Sequence, residues 1–203
     1  MAVPHPLFDL SGKVALITGG SRGLGRQMAL AFADAGADII VSSRKADACE
    51  AVVAEVEAKG RRAVAIPAHA AKWDEMDRLA DEAWAAFGRL DILVANAGMG
   101  PLVPSHEVSE ALFDSVVGLN FKGPSMVVSM AHEYGPKVRI NGIAAGPFLT
   151  DISKAWTEEA RETADNAAGR PGRPEEIVTS ALYLASPASS FVTGSVIRCD
   201  GGC

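Results

Sequence analysis

Three cysteines and two tyrosines are all that the 203 residues contain of either type. Cys49, Cys199 and Cys203 are scattered and odd in number, so they build neither a disulfide framework nor a zinc-ligand spacing. They read as reduced thiols of a cytoplasmic protein. Long apolar runs are missing as well: no stretch approaches the roughly 18 residues that cross a bilayer. The opening MAVPHPLFDLSGK has two prolines and an acid where a signal peptide would need an apolar core. Positive charge is in deficit, with a formal net charge of −6, which excludes a nucleic-acid backbone as partner. A local pocket can still hold an anionic cofactor. His5, His106 and His132 share no spacing suited to a metal or a catalytic triad.

What is present is an alternation. KVALIT (Lys13–Thr18), ADIIVSS (Ala37–Ser43), RAVAIP (Arg62–Pro67) and DILVANAG (Asp91–Gly98) are short apolar runs that read as buried strands. Between them, 26–35, 46–59 and 73–87 carry helical periodicity, and Gly36, Gly60 and Gly88 stop them. Strict alternation with strands apolar on both faces specifies a doubly wound parallel sheet of α/β class. The length suits a single domain spanning 1–203.

The pattern then breaks. Helices are predicted over 109–119 and 126–134, with only NFKGPS between them and no apolar run for a strand. KVRINGI (Lys137–Ile143) resumes as a strand, helices follow from about 151 and over 174–185, and 194–202 closes as a last strand.

The run TGGSRGLG from Thr18 to Gly25 sits between a strand and a helix, the context that makes a glycine run a phosphate loop. Gly19 permits the tight turn, Gly23 lets backbone approach a pyrophosphate, and Gly25 allows close helix–strand packing. The helix N-terminus then offers amides to the phosphates. An acidic residue at the end of the second strand would bind ribose hydroxyls; here the strand ends Ser42, Ser43, Arg44, Lys45, with no acid until Asp47. Arg22 and Arg44 with Ser43 suit a 2′-phosphate. NADP(H) is therefore preferred, with NAD(H) possible; alternatively Arg44 and Lys45 are solvated residues entering a helix.

TGGSRGLG, then ANAG (Ala95–Gly98), NFKG (Asn120–Gly123), AGPFLT (Ala145–Thr150) and a late DGG resemble the short-chain dehydrogenase/reductase family, over nearly the whole chain. The resemblance implies a Rossmann-type subunit that moves hydride between a nicotinamide and a small alcohol or carbonyl, and a homodimer or homotetramer. It places Ser21, Arg22, Gly23 and Leu24 at the phosphates and Asn96, Ala97 and Gly98 beside the adenosine. It places Pro147, Phe148 and Thr150 over the nicotinamide and pyrophosphate, and makes Asn120 the asparagine of the catalytic tetrad. His69 stands where the family often has an aspartate near the adenine, with Ala70 supplying an amide; an ordinary loop histidine is the other reading. Ala145 replaces a family proline.

One departure is larger. The family's acid/base is a Tyr four residues ahead of a Lys, with a Ser on the preceding strand. Four residues after Tyr134 is Val138, and four after Tyr183 is Pro187, so no YxxxK exists. Tyr134 and Lys137 are separated by Gly135 and Pro136, which end the helix, and Tyr134 reads as a helix-end packing residue. The fifth strand, its serine and the first turns of the next helix are missing together, at a junction between 121 and 127. The sequence either omits a segment of the protein, for instance one disordered near an unoccupied active site, or carries a true deletion. The first account gives an NADP(H)-dependent oxidoreductase. The second gives a catalytically inactive nucleotide-binding protein that acts by association. Trp73, Trp84 and Trp156 are expected as core or cleft-lining bulk.

Overall fold

The two most apolar runs form the centre of a parallel sheet in the computed structural model, which describes residues 5–98, 105–120 and 127–203. β1 (Val14–Thr18) and β2 (Asp38–Ser42) are buried at every residue and pair from Val14↔Asp38 to Thr18↔Ser42. β3 (Ala63–Ala65) flanks β2 and β4 (Ile92–Ala95) flanks β1, giving the parallel order β3-β2-β1-β4. Alternate side chains leave opposite faces of each strand. Ala15 and Ile17 join Ile39, Val41, Met28 and Phe32 of α1 (Gly23–Asp34) and Val52 and Val56 of α2 (Ala46–Ala58) in the larger cluster. Val14, Leu16 and Ile40 meet Leu79 and Ala83 of α3 (Trp73–Phe87) in the smaller one. Each large aliphatic or aromatic side chain so buried contributes roughly 1.5–3 kcal/mol. The Rossmann-type sheet expected from the alternation is thus present.

The second half holds α4 (Glu110–Asn120), α5 (Val127–Tyr134), β5 (Gly142–Ala145), α6 (Glu158–Glu162), α7 (Val178–Ala185) and β6 (Val196–Cys199). The predicted strand at 137–143 begins late, at Gly142. Before it, one backbone bond, Gly194 N–H to Ile140 O at 2.7 Å, is supplemented by side chains in place of a regular ladder. Arg139 donates to Ser189 Oγ at 2.8 Å and Leu184 O at 2.9 Å, and Asn141 Nδ2 donates to Val192 O at 2.9 Å. The late helix is also split, into a 3-10 turn at Pro174–Ile177 followed by α7.

β5 and β6 form a separate two-stranded parallel sheet, and β4 has no strand on its outer side among the described residues. The break falls where alternation fails, between α4 and α5; the junction residues 121–126 lie outside the described residues. Both sheets nevertheless rest on one apolar cluster. Ile92 and Val94 of β4, Ile143 of β5 and Cys199 of β6 pack against the group that contains Phe32, Ile177 and Ala181. On the opposite face Leu93 is 61% exposed. Trp73 and Trp84 are 84% and 60% exposed, so of the two expectations, core or cleft-lining bulk, the first does not hold for them. They stand eleven residues apart, about three helical turns, on the outer side of α3, whereas Leu79 and Ala83 take the inner side. Among the described residues no helix is long and apolar enough to cross a membrane.

Candidate cofactor site

The C-terminal ends of β1 and β4 are tied by two side chains. Thr18 Oγ1 donates to Val94 O at 3.3 Å and accepts the backbone N–H groups of Asn96 (3.1 Å) and Ala97 (3.2 Å). Asn96 Nδ2 donates in return to Thr18 O at 3.0 Å and Gly19 O at 3.3 Å. The glycine loop therefore leaves β1 along a fixed path. Gly19 has φ +64°, and a Cβ there would lie 2.9 Å from Asn96 Nδ2. A Cβ on Gly25 would sit 2.3 Å from Gly19 O, so the close approach of α1 to the loop excludes any side chain. α1 begins at Gly23, three residues before the sequence-based start, with Arg22 as its extended N-cap. Ser21, Arg22, Gly23 and Leu24 thus lie at the helix N-terminus, where amides and dipole favour an anion.

Next to this loop, Gly20 N–H donates to Ser42 O at 3.1 Å, bringing the end of β2 alongside. Ser43 Oγ lies 3.2 Å from the buried Cys49 Sγ. Arg44 is exposed and has no partner among the described residues. Arg22 is exposed too, and its guanidinium pairs with Asp151 at 3.4 Å. A hydrogen bond from Lys154, reinforced by Arg22, holds the Asp151 carboxyl below the usual carboxylate range. Asp151 has no counterpart in the sequence-based site; only its place just after the AGPFLT run signalled it. Arg26 of α1 is a bidentate donor to Glu55 of α2, which braces the two helices beneath the loop.

After β3, the His69 backbone N–H is taken by Glu75 Oε2 at 2.7 Å, and His69 Nδ1 accepts Ala71 N–H at 3.2 Å. Nε2 is the ring nitrogen left for another partner, and Ala70 stands beside it. The late loop reaches the same edge of the sheet. Pro147 O accepts from Gly172 N–H at 2.8 Å, and Phe148 is buried, its ring stacked over Gly172. Phe148 therefore has only backbone to offer a ligand. Thr150 Cβ and Cγ2 lie 3.5 Å from the position of a Cβ on Gly23, so the first and last loops meet. Between them opens a cleft of about 590 Å³, lined by Gly23, Arg26, Thr150, Asp151, Lys154 and Arg161 among others. Trp156 lines a smaller recess of about 350 Å³ with Pro147.

Asn120 is the last residue of α4, and Gly98 ends the described stretch after β4. Tyr134 ends α5 as expected but is 48% exposed, so it is not packed in a core. Lys137 follows three residues later, but beyond the end of α5 at Tyr134, so the two do not share a helical face. Thr18, which ties β1 to β4, Asp151, which pairs with Arg22, and Asn141, which holds the approach to β5, make contacts whose roles periodicity did not single out.

Together these features define an α/β protein with a dinucleotide site at the C-terminal edge of a parallel sheet. The family model described as short chain dehydrogenase matches residues 13–131, and one described as Enoyl-(Acyl carrier protein) reductase matches residues 124–203. The chain belongs to the short-chain dehydrogenase family. An uncharacterized oxidoreductase of Mycobacterium tuberculosis is 34% identical, covering 97% of this chain and 94% of its own. That alignment runs over 248 positions against 203 residues here, so at least 45 positions face no residue of this chain. The solved Pseudomonas aeruginosa RhlG/NADP active-site complex has a TM-score of 0.90 at 30% identity, covering 98% of this chain and 99% of its own. A 7α-hydroxysteroid dehydrogenase complexed with NADH and 7-oxo glycochenodeoxycholic acid also has a TM-score of 0.90, at 31% identity, with 97% and 96% covered.

Proposed function

We propose that the chain binds NADP(H) and belongs to an NADP(H)-dependent oxidoreductase that interconverts a small alcohol and a carbonyl. The observation that carries this reading is the meeting of Gly23 and Thr150 along one cleft, with the glycine loop that leads to Gly23 fixed by the Thr18–Asn96 lock. In it, the amides from Ser21 to Leu24 and Gly25 hold the pyrophosphate, with Gly19 giving the turn. Arg44, Ser43 and Arg22 hold the 2′-phosphate. Asn96, Ala97 and Gly98 border the adenosine, with His69 Nε2 and the Ala70 amide at the adenine. Pro147, Phe148 through its backbone, and Thr150 close over the nicotinamide end, and Asn120 holds a water of the proton relay. The bound nicotinamide supplies hydride transfer; the chain's own residues bind and orient it.

The relatives support a nicotinamide cofactor without choosing one, since one neighbour holds NADP and another NADH. The choice rests on Arg44, which is unpaired among the described residues, and on the lack of a carboxylate at the end of β2. The protein is read as cytoplasmic and as a homodimer or homotetramer.

The absent YxxxK favours a second reading, a nucleotide-binding protein without catalysis. Intact mass of the protein from its native cell separates the two. A mass above 21.1 kDa, with NADPH consumed against a panel of ketones, supports the oxidoreductase. A mass at that value, with NADPH bound and not consumed, supports the binding protein.

A further inference from the structure

The turn after β2 carries two hydrogen-bonding side chains, one behind the other. β2 ends at Ser42, whose carbonyl takes the Gly20 N–H at 3.1 Å. A Cβ on Gly20 would lie 3.2 Å from Val41 Cγ1, so the glycine loop runs against this strand end. Three residues, Ser43 to Lys45, then lead into α2, and the Cys49 N–H to Lys45 O bond (3.2 Å) closes its first turn. That turn brings Cys49 back behind Ser43. Cys49 is 0% exposed and belongs to the larger apolar cluster, whereas Ser43 is half-buried and Arg44 exposed. Among the described residues the thiol has two acceptors, both on Ser43: Oγ at 3.2 Å and the carbonyl oxygen at 3.9 Å. That carbonyl already accepts the Ala68 N–H at 3.0 Å. In turn, Cys49 is the one partner of the Ser43 hydroxyl among the described residues.

We propose that Cys49 is a positioning residue for cofactor selection: its buried S–H bonds to Ser43 Oγ and turns the hydroxyl hydrogen outward, to the 2′-phosphate. That role rests on the reading of Ser43, Arg44 and Arg22 as the 2′-phosphate site. A phosphate dianion only accepts hydrogen bonds, so Ser43 must donate to it. A hydroxyl that donates outward keeps its lone pairs for a donor behind it, and the thiol is that donor. The chain from S–H to O–H to phosphate runs in one direction, and each bond strengthens the next. Without a phosphate the hydroxyl hydrogen is free to turn inward to the sulfur, since either atom can donate at 3.2 Å. A ribose hydroxyl in place of the phosphate donates as well as accepts, and imposes no direction. The thiol therefore acts on NADP(H) and leaves NAD(H) unaffected.

The test is a double-mutant cycle read in NADPH and NADH binding to the 203-residue chain. Ser43→Ala should raise the NADPH Kd about tenfold. Cys49→Ala should raise it about three- to fivefold, and Cys49→Ser, which keeps a buried donor, should stay within about twofold of the starting chain. The NADH Kd should move by less than about twofold in all three, which also shows that the fold is intact. In the Ser43→Ala background Cys49→Ala should add nothing, because the thiol acts only through that hydroxyl. Four results overturn the proposal: an unchanged NADPH Kd in Cys49→Ala, an equal loss for NADH, a loss in Cys49→Ser as large as in Cys49→Ala, or a full additional loss in the double variant. If Ser43→Ala removes the NADPH preference and Cys49→Ala does not, the proposal fails and the cofactor reading stands. A starting chain that binds NADPH no more tightly than NADH overturns the cofactor reading, and the proposal with it.

Discussion

Thr18 and Asn96 hold each other from both ends: Thr18 Oγ1 accepts the Asn96 backbone N–H at 3.1 Å, and Asn96 Nδ2 donates back to Thr18 O at 3.0 Å. Thr18→Val keeps the shape but leaves two amides, of Asn96 and Ala97, without their acceptor. A loss of about 1–3 kcal/mol in urea denaturation is expected, with weaker nucleotide binding because the glycine loop loses its anchor. Unchanged stability would show that water replaces the hydroxyl there.

Gly25→Ala tests the packing of α1 on the loop. The new Cβ would meet a backbone oxygen at 2.3 Å, and backbone cannot swing away as a side chain can. Overpacking of this kind costs about 1–3 kcal/mol, so a fall in Tm and loss of cofactor binding should appear together.

Much of this was legible in the sequence, for physical reasons. β1 and β2 are buried at every position, with runs of aliphatic residues between their few polar ends, because both faces are covered, and such runs stand out. β4 and β5 were harder to delimit: with no strand on its outer side among the described residues, burial in β4 alternates, and the approach to β5 is held largely by Arg139 and Asn141 side chains. Periodicity carries no sign of side-chain-to-backbone bonds, so Asn141 passed unmarked and Thr18 counted only as the start of the glycine run. Trp73 and Trp84 misled because hydrophobicity alone does not say which side of α3 faces the sheet. The failed alternation was visible in composition and reappears as the split between two sheets.

Arg22 is shared between Asp151 and any incoming phosphate. The Arg22–Asp151 pair is exposed and worth at most about 1 kcal/mol. Asp151→Asn should release Arg22 and lower the NADPH Kd by about two- to fivefold, with little change for NADH. Arg44→Glu should act in the opposite sense, raising the NADPH Kd by about ten- to a hundredfold. Equal effects on both nucleotides would remove the 2′-phosphate from the argument.

Acid should unfold the protein through identifiable carboxylates. The Arg170 fork and the Arg173 N–H hold the Glu176 carboxyl down at about 2. Burial pushes Asp38 up, but hydrogen bonds from Arg62 and the charge of Arg61 outweigh it and leave its carboxyl low. Groups depressed in the folded state contribute stability that is complete above the ordinary carboxylate range and is lost as pH falls through their folded values. Denaturation midpoints should be flat from about pH 5 upward and fall between about pH 4 and pH 2. Glu176→Gln should flatten that acid limb; an unchanged limb would remove Glu176 from the account.

The loop from Gly19 to Gly25, with Arg22, Ser43 and Arg44 beside it, is proposed as an NADP(H) site. Equilibrium binding of NADPH and NADH to the 203-residue chain, measured side by side by nicotinamide fluorescence, tests it most directly. Saturable one-to-one binding of both is expected, with NADPH tighter by about tenfold or more. Equal affinities, tighter NADH, or binding of neither would contradict it.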